Sequence, residues 1–160
     1  MTKAATPTIA TALGRIPSGL FIVTTRLEKA PIGFLGSLVQ QVGFEPPVVC
    51  VAFAKDRPHF EWCLAEGRFG LSVLDETSQS LKRAFLKRRA DGESAFDGLN
   101  VGEARSGTPV LLDALAWLDC KITGRHDTGD HAVLFAEVVE AGVQRAGDPY
   151  VHLRKNGLSY

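Results

Sequence analysis

The chain has 160 residues with 18 basic and 18 acidic side chains, so its formal net charge is zero and nothing pulls it as a whole towards nucleic acid or an anionic membrane. Hydrophobic residues make up 45% and charged residues 22%, ordinary values for one soluble domain long enough to bury a core. No run reaches the roughly 18 apolar residues of a membrane helix and residues 1–9 carry no signal-peptide core, which predicts a cytoplasmic protein.

Residues 1–7 read as a loose tail, and residues 8–13 as a short helix leading into Gly14-Arg15-Ile16-Pro17. After the Pro17-Ser18-Gly19 break, residues 20–25 form a β-branched strand. Residues 28–31 turn, and residues 32–44 are expected as a second strand broken by Gly33, Gly36 and Gly43. Glycines inside a strand mark bulges or close approach of a ligand to the backbone. Glu45-Pro46-Pro47 ends that strand, residues 48–54 form a wholly apolar one, and residues 55–58 are a polar loop.

Residues 59–66 fit a short helix with Phe60, Cys63 and Leu64 on one face, stopped by Gly67, and residues 68–74 a strand. Residues 77–89 read as a helix with Leu81 and Phe85 inward, and with Lys82, Arg83, Lys87, Arg88 and Arg89 on its outer face and last turn, where they suit the helix dipole. Residues 91–109 are the loosest part, a loop long enough to suggest function. Two long strands, 114–123 and 131–141, follow, and residues 150–153 make a last short one. About seven strands and two or three short helices result. Several strands are apolar on both faces, which suits a closed antiparallel barrel whose outer wall is covered by helices or by a second copy in a homodimer.

Cys50, Cys63 and Cys120 are odd in number, lie in apolar runs and lack CxxC spacing, so buried thiols are expected rather than disulfides or zinc ligands. Dinucleotide-binding, P-loop, zincin and nucleophile-elbow motifs are absent. The basic run 82–89 lacks interleaved aromatics beyond Phe85 and reads as a solvated helix face, not a nucleic-acid patch. The densest chemistry lies in residues 125–131, where His126, Asp127, Asp130 and His131 crowd one turn. Three readings stay open for them: metal ligands, a plain polar turn, or the edge of a small-molecule site. Ser37 reads equally as a strand hydroxyl or a ligand contact, Lys55 and Arg57 as loop charges or phosphate partners, and His59 as a helix start or a contact. Trp62 and Trp117 are expected in packing.

Several segments in order resemble one family. They are Ala12-Leu13-Gly14-Arg15-Ile16-Pro17-Ser18-Gly19 with Ile22-Val23-Thr24-Thr25, then residues 33–42, Glu45-Pro46-Pro47-Val48-Val49, Gly67-Arg68-Phe69 and Ser72-Val73-Leu74. Phe96-Asp97-Gly98-Leu99, Gly107-Thr108-Pro109-Val110-Leu111, Gly129-Asp130-His131 and Tyr150 continue the series. Together they resemble the flavin reductase family, which folds as an FMN-binding split β-barrel. Leu35, Ser37, Val39, Gln41, Phe44, Lys55, Arg57 and the ending His152-x-Arg154-Lys155-x-Gly157-x-x-Tyr160 are similar to the flavin reductase module of cyanobacterial-type flavodiiron proteins.

The resemblance implies one domain over residues 1–160, mainly β, an antiparallel and Greek-key-like split barrel with a few short helices. It implies a homodimer that binds FMN, with FAD as the alternative flavin, and reduces it with NAD(P)H. Leu35, Gly36, Ser37 and Leu38 would offer backbone donors and one hydroxyl to the flavin ring; Gln40, Gln41, Lys55 and Arg57 would hold the phosphate; His59 and Ser72 would complete the cofactor contacts. His131 is implied as the catalytic-site residue at the flavin or nicotinamide edge. No metal is implied at the site. The alternative function is an FMN-carrying electron-transfer protein that serves an oxygenase or diiron electron acceptor; neither nucleic acid nor membrane is expected as a partner, given the zero net charge.

Three stretches depart from the family pattern: residues 35–41 replace Thr-Ala-Ser-Ser-Phe-Thr-Ser and keep one hydroxyl, Asp56-Arg57-Pro58-His59 replaces Asp-Arg-Ser-Ser, and Ser72 replaces an asparagine. They leave a split-barrel dimer without flavin as a further reading.

Overall fold

The computed structural model describes residues 8–159; the tail expected over residues 1–7, and Tyr160, lie outside them. Helix α1 (Ile9–Leu13) is capped by Thr8, whose hydroxyl accepts the Thr11 N–H. Strands β1 (Phe21–Leu27) and β2 (Ala30–Gly36) form a hairpin, as do β3 (Val39–Phe44) and β4 (Pro47–Ala54). Helix α2 (His59–Glu66) follows, ended by Gly67 in the left-handed conformation, φ 69°, that a C-terminal cap favours in glycine. Then come β5 (Arg68–Val73), α3 (Gln79–Leu86), the small pair β6 (Val101–Glu103) and β7 (Pro109–Leu111), and the long hairpin β8 (Ala116–Asp127) with β9 (His131–Val143).

Seven strands make one antiparallel sheet in the order β2-β1-β5-β8-β9-β4-β3. Strands β2 and β3 are consecutive in sequence yet lie at its two opposite edges. The single strand expected over residues 32–44 is therefore two, and Ser37-Leu38 carries the chain from one edge to the other. The reason is a change of partner: Phe21 pairs Gly36 on one side of the break, whereas Val39 pairs Val51 on the other. The fold is a mainly β split barrel, as expected.

The strands that read as apolar on both faces divide into two kinds. Inside the barrel, Val23, Val51, Phe53, Phe69, Leu71, Leu134 and Ala136 pack with Phe60 and Cys63 of α2. Outside β1, a second core of Leu20, Ile22, Leu74, Leu81, Phe96 and Leu111 packs with Phe85, so α3 and the 91–109 region cover that wall. Phe85 and Phe96 meet edge to face at 5.2 Å. The loop expected over 91–109 thus contains β6 and a buried anchor. By contrast, β4 and β9 alternate buried with half-buried residues along their length, and the half-buried face leaves Cys50, Ala52, Val133 and Phe135 partly open.

Other boundaries shift. Helix α3 runs Gln79–Leu86 within the expected 77–89, and Lys87 is already extended. The last strand, expected at 150–153, is a single bridge between Ser18 and His152. β8 extends to Asp127, so the turn is only Thr128-Gly129-Asp130, with Gly129 at φ 87°.

One ion pair fastens the layers. Arg145 donates to both carboxylate oxygens of buried Asp75 at 2.9 and 2.7 Å, and to the carbonyls of Asp113 and Ala114 at 3.0 and 3.2 Å. It joins the segment after β9 to the turn before α3 and the entry to β8. The Arg145 guanidinium holds the Asp75 carboxyl far below the usual carboxylate range, against the opposing effect of burial. Its folded pKa is lowered, so this contribution is present above the unfolded value of about 3.9 and is lost as pH falls through the folded one. Arg145→Ala strands a buried carboxylate and is expected to cost about 3 kcal/mol in urea unfolding at pH 7. The loss should shrink in a melt at about pH 3, where the unfolded carboxyl is protonated.

Candidate functional site

A cavity of about 450 Å³ opens where the barrel is split. Its floor is the β2 backbone from Gly33 to Gly36 with Ser37 and Leu38, and its walls are Phe34, Phe53, Phe85 and Leu86. Alternate backbone groups of an edge strand have no neighbour on the open side, so β2 offers donors and acceptors beside an apolar surface. Phe34 crosses the split to meet Phe53 at 5.3 Å, edge on. His59 lies against Phe34 at 5.1 Å and against Trp62 at 5.2 Å. Burial, and then the charge of Arg57, push the His59 imidazole below its ordinary pKa, while a hydrogen bond with the Gly33 backbone works the other way. His59 is therefore a neutral aromatic wall at pH 7. Its Nδ1 is buried and has no hydrogen-bond partner among the described residues.

A second, wider depression adjoins the first, sharing Leu38, Ala52, Ala54, Arg57 and Arg154 with it. Lys55, Asp56, Thr128, Asp130 and His131 also line it. The crowded 125–131 segment resolves into ion pairs. Arg125 donates to both oxygens of Asp127 at 2.9 and 3.1 Å, and Lys55 Nζ lies 3.3 Å from the same carboxylate. Arg125 holds Asp127 down at about 2, with Lys55 adding to the effect. Asp130 Oδ1 lies 2.9 Å from His131 Nδ1, which orients the imidazole and lowers the Asp130 carboxyl. Among the described residues no group of three or more side chains is assembled to hold a metal.

The structure brings together part of what the sequence predicts. Leu35, Gly36, Ser37, Leu38, Arg57 and His59 line the cavity, and Lys55 and His131 line the adjoining depression. Ser72 does not join them: it is wholly buried on β5, and its hydroxyl accepts the Leu111 N–H at 3.3 Å. Gln40 and Gln41 are also elsewhere, exposed on β3, where their side chains donate to the carbonyls of Gln41 and Gly43. They miss the cavity because the chain changes partner at Ser37-Leu38, so residues after the break belong to the far edge. Conversely, Lys82, His152 and Arg154 line the cavity. Lys82 has the period of an outer helix face and gives no local signal; His152 and Arg154 stand out only in the C-terminal pattern.

A model of the flavin reductase like domain matches residues 13–157. Diflavin flavoprotein A 1 of Synechocystis sp. is 38% identical over 93% of this chain, which spans 26% of that protein. The chain thus covers about a quarter of the length of the curated relatives it matches. Among solved structures, nitrilotriacetate monooxygenase component B from Mycobacterium thermoresistibile superposes with TM-score 0.81 at 28% identity, over 91% of this chain and 80% of that one. The NADH:FAD oxidoreductase of Streptomyces globisporus C-1027 gives 0.80 at 26% identity, over 91% and 86%.

The wall formed by His59 has a pH signature. Its folded pKa is lowered, so the neutral ring supports folding above its unfolded value of about 6.5 and loses that support as pH falls below it. His59→Phe keeps the ring and removes the proton uptake. The drop in melting temperature between pH 7 and 5 should be smaller in the variant than in the wild type; an equal drop would place the titrating group elsewhere.

Proposed function

This chain belongs to the flavin reductase like domain family, and we propose that it holds FMN in the cavity at the split of its barrel and reduces it with NAD(P)H, as an NAD(P)H:flavin oxidoreductase. The observation that carries this reading is the cavity itself: an unpaired strand edge and aromatic walls beside three cationic side chains, Arg57, Lys82 and Arg154, with no carboxylate side chain among the described lining residues. A flat heteroaromatic ring with polar edges and an anionic tail needs such a surface. The residues present therefore fit the group. Bound there, the flavin supplies a two-electron acceptor for a hydride.

The protein's own share is binding and orientation, which explains why no nucleophile or paired carboxylate marks the site. Leu35, Gly36, Ser37 and Leu38 present backbone groups, and Ser37 adds a hydroxyl. Phe34, Phe53 and His59 exclude water from one side. The adjoining depression is where a nicotinamide nucleotide would lie, with His131 held by Asp130 at its rim. At that rim an oriented imidazole donates or accepts a hydrogen bond and thereby positions the carboxamide or the ring edge.

A second copy of the chain would cover the half-open apolar faces of β4 and β9, around Cys50, Val133 and Phe135, and a homodimer is part of the reading. The free thiols suit a cytoplasmic location, and residues 1–160 are taken as one domain. The diflavin relatives favour one alternative, an FMN carrier that passes electrons to an oxygenase or diiron partner.

Absorbance spectra of the protein with FMN, then with NADH and NADPH, test the reading. Added FMN should shift and sharpen its visible absorption band as the ring leaves water for the cavity, and NAD(P)H should bleach it. No spectral change with FMN or FAD would leave a split barrel without flavin. His131→Ala should raise the Michaelis constant for the nicotinamide about tenfold with little change in flavin affinity; unchanged kinetics would remove His131 from the site. Phe135→Glu should move the protein from twice 17.3 kDa to 17.3 kDa in sedimentation, whereas an unaffected dimer would put the interface on another face.

A further inference from the structure

We propose that Lys82, His152 and Arg154 form a clamp for the phosphate monoester of the bound flavin, so that the C-terminal segment and α3, rather than the β3 glutamines and Lys55, select a phosphorylated flavin. The inference rests on the flavin reading of the cavity and assigns its anionic end.

Three separate structural constraints bring these side chains to one wall. Lys82 stands on α3, whose apolar side is buried through Leu81, and its ammonium sits 5.0 Å over the Tyr150 ring. His152 is pinned by reciprocal backbone hydrogen bonds with Ser18, at 3.0 and 2.7 Å. Arg154 lies between that bridge and a second anchor, where the Gly157 N–H donates to the Ala10 carbonyl at 2.9 Å. The segment runs so close to α1 that a Cβ on Gly14 would lie 2.7 Å from the Arg154 carbonyl oxygen, and one on Gly157 would lie 2.1 Å from Leu13 Cβ. Its path is therefore fixed by contact, and with it the position of the Arg154 backbone.

The electrostatics leave a place for an anion. The chain is neutral overall, with 18 charges of each sign, yet the cavity wall gathers Arg57, Lys82 and Arg154 with no Asp or Glu among its described lining residues. Lys82, His152 and Arg154 line the same cavity, and burial and then the charges of Lys82 and Arg154 lower the basicity of His152. Arg154 Nε is buried and has no hydrogen-bond partner among the described residues. An unfilled guanidinium donor among like charges is costly, and a phosphate dianion with its three acceptor oxygens relieves both the repulsion and the missing bond.

The competing positions are otherwise engaged or absent. Lys55 pairs with Asp127 at 3.3 Å and faces the depression that also holds Asp56 and Asp130. Gln40 and Gln41 bond their own strand. Phosphate could also come from the nicotinamide dinucleotide, so the flavin and nicotinamide sources are separated in the test.

The decisive comparison is FMN against riboflavin, which lacks the phosphate. Dissociation constants are measured by flavin fluorescence for the wild type, Lys82→Gln, Arg154→Gln and the charge-keeping Lys82→Arg, with circular dichroism melts to confirm folding. Each glutamine variant should weaken FMN about tenfold or more, leave riboflavin within about twofold, and Lys82→Arg should restore most of the loss. Equal weakening of FMN and riboflavin, or unchanged FMN binding, would overturn the clamp. If instead only the preference for NADPH over NADH changes, the phosphate site serves the nicotinamide and the flavin clamp is overturned. A wild type that binds neither FMN nor riboflavin overturns the flavin reading and the clamp with it, a result distinct from a wild type that binds FMN and variants that bind it equally.

Discussion

Two consecutive strands cannot be neighbours in this sheet. β2 is committed to β1 through seven paired residues, from Phe21 with Gly36 to Leu27 with Ala30, and β3 is committed to β4. These partners are separated by β5, β8 and β9, so the barrel closes everywhere except between β2 and β3. The two residues Ser37 and Leu38 cross this opening, with the Leu38 carbonyl accepting the Ala52 N–H at 3.0 Å. An exposed strand edge is normally a liability. Here it lies beside aromatic rings and cations, the combination on which the proposed flavin site rests.

The rest of the molecule supports that opening. The inner core and α2 hold β1, β4 and β5 at a fixed radius, while α3 and the 91–109 region pack on the outside of β1 and bring Phe85 and Lys82 to the cavity. Two buried carboxylates away from it are satisfied. Asp119, almost wholly buried, accepts from Arg68, Ser106 and Thr108 at 2.9, 2.7 and 2.8 Å, and Asp75 is held by Arg145. These networks pin the loops that cover β8 and the entry to α3. In the cavity wall, by contrast, His59 Nδ1 and Arg154 Nε have no hydrogen-bond partner among the described residues.

Much of this was readable from the chain. Apolar runs located the strands of the barrel, Gly67 located the end of α2, and the ordered segments located the family and its split barrel. Gly33 and Gly36 signalled close approach, and both line the cavity. What failed to read through was long-range. Residues 32–44 have continuous strand character, and only the change of pairing partner divides them. That division leaves Gln40 and Gln41 outside the lining of the cavity. Ser72 has the polarity of a ligand contact but is used as an acceptor for Leu111 across the sheet. Lys82, His152 and Arg154 arrive from a helix face and a bridge of one residue pair, neither of which has a local pattern that announces a site. The crowded histidines and aspartates of 125–131 drew attention by composition, yet the hairpin uses several of them for its own contacts, Arg125 with Asp127 and Asp130 with His131.

The central claim is that the opening between β2 and β3 is the flavin site. Amide hydrogen exchange with and without saturating FMN addresses it at residue level. Protection should appear at residues 33–38 and in the segment 152–157, and remain unchanged in the β6–β7 pair. FMN binding that protects another surface while leaving residues 33–38 exchanging as before would contradict the account.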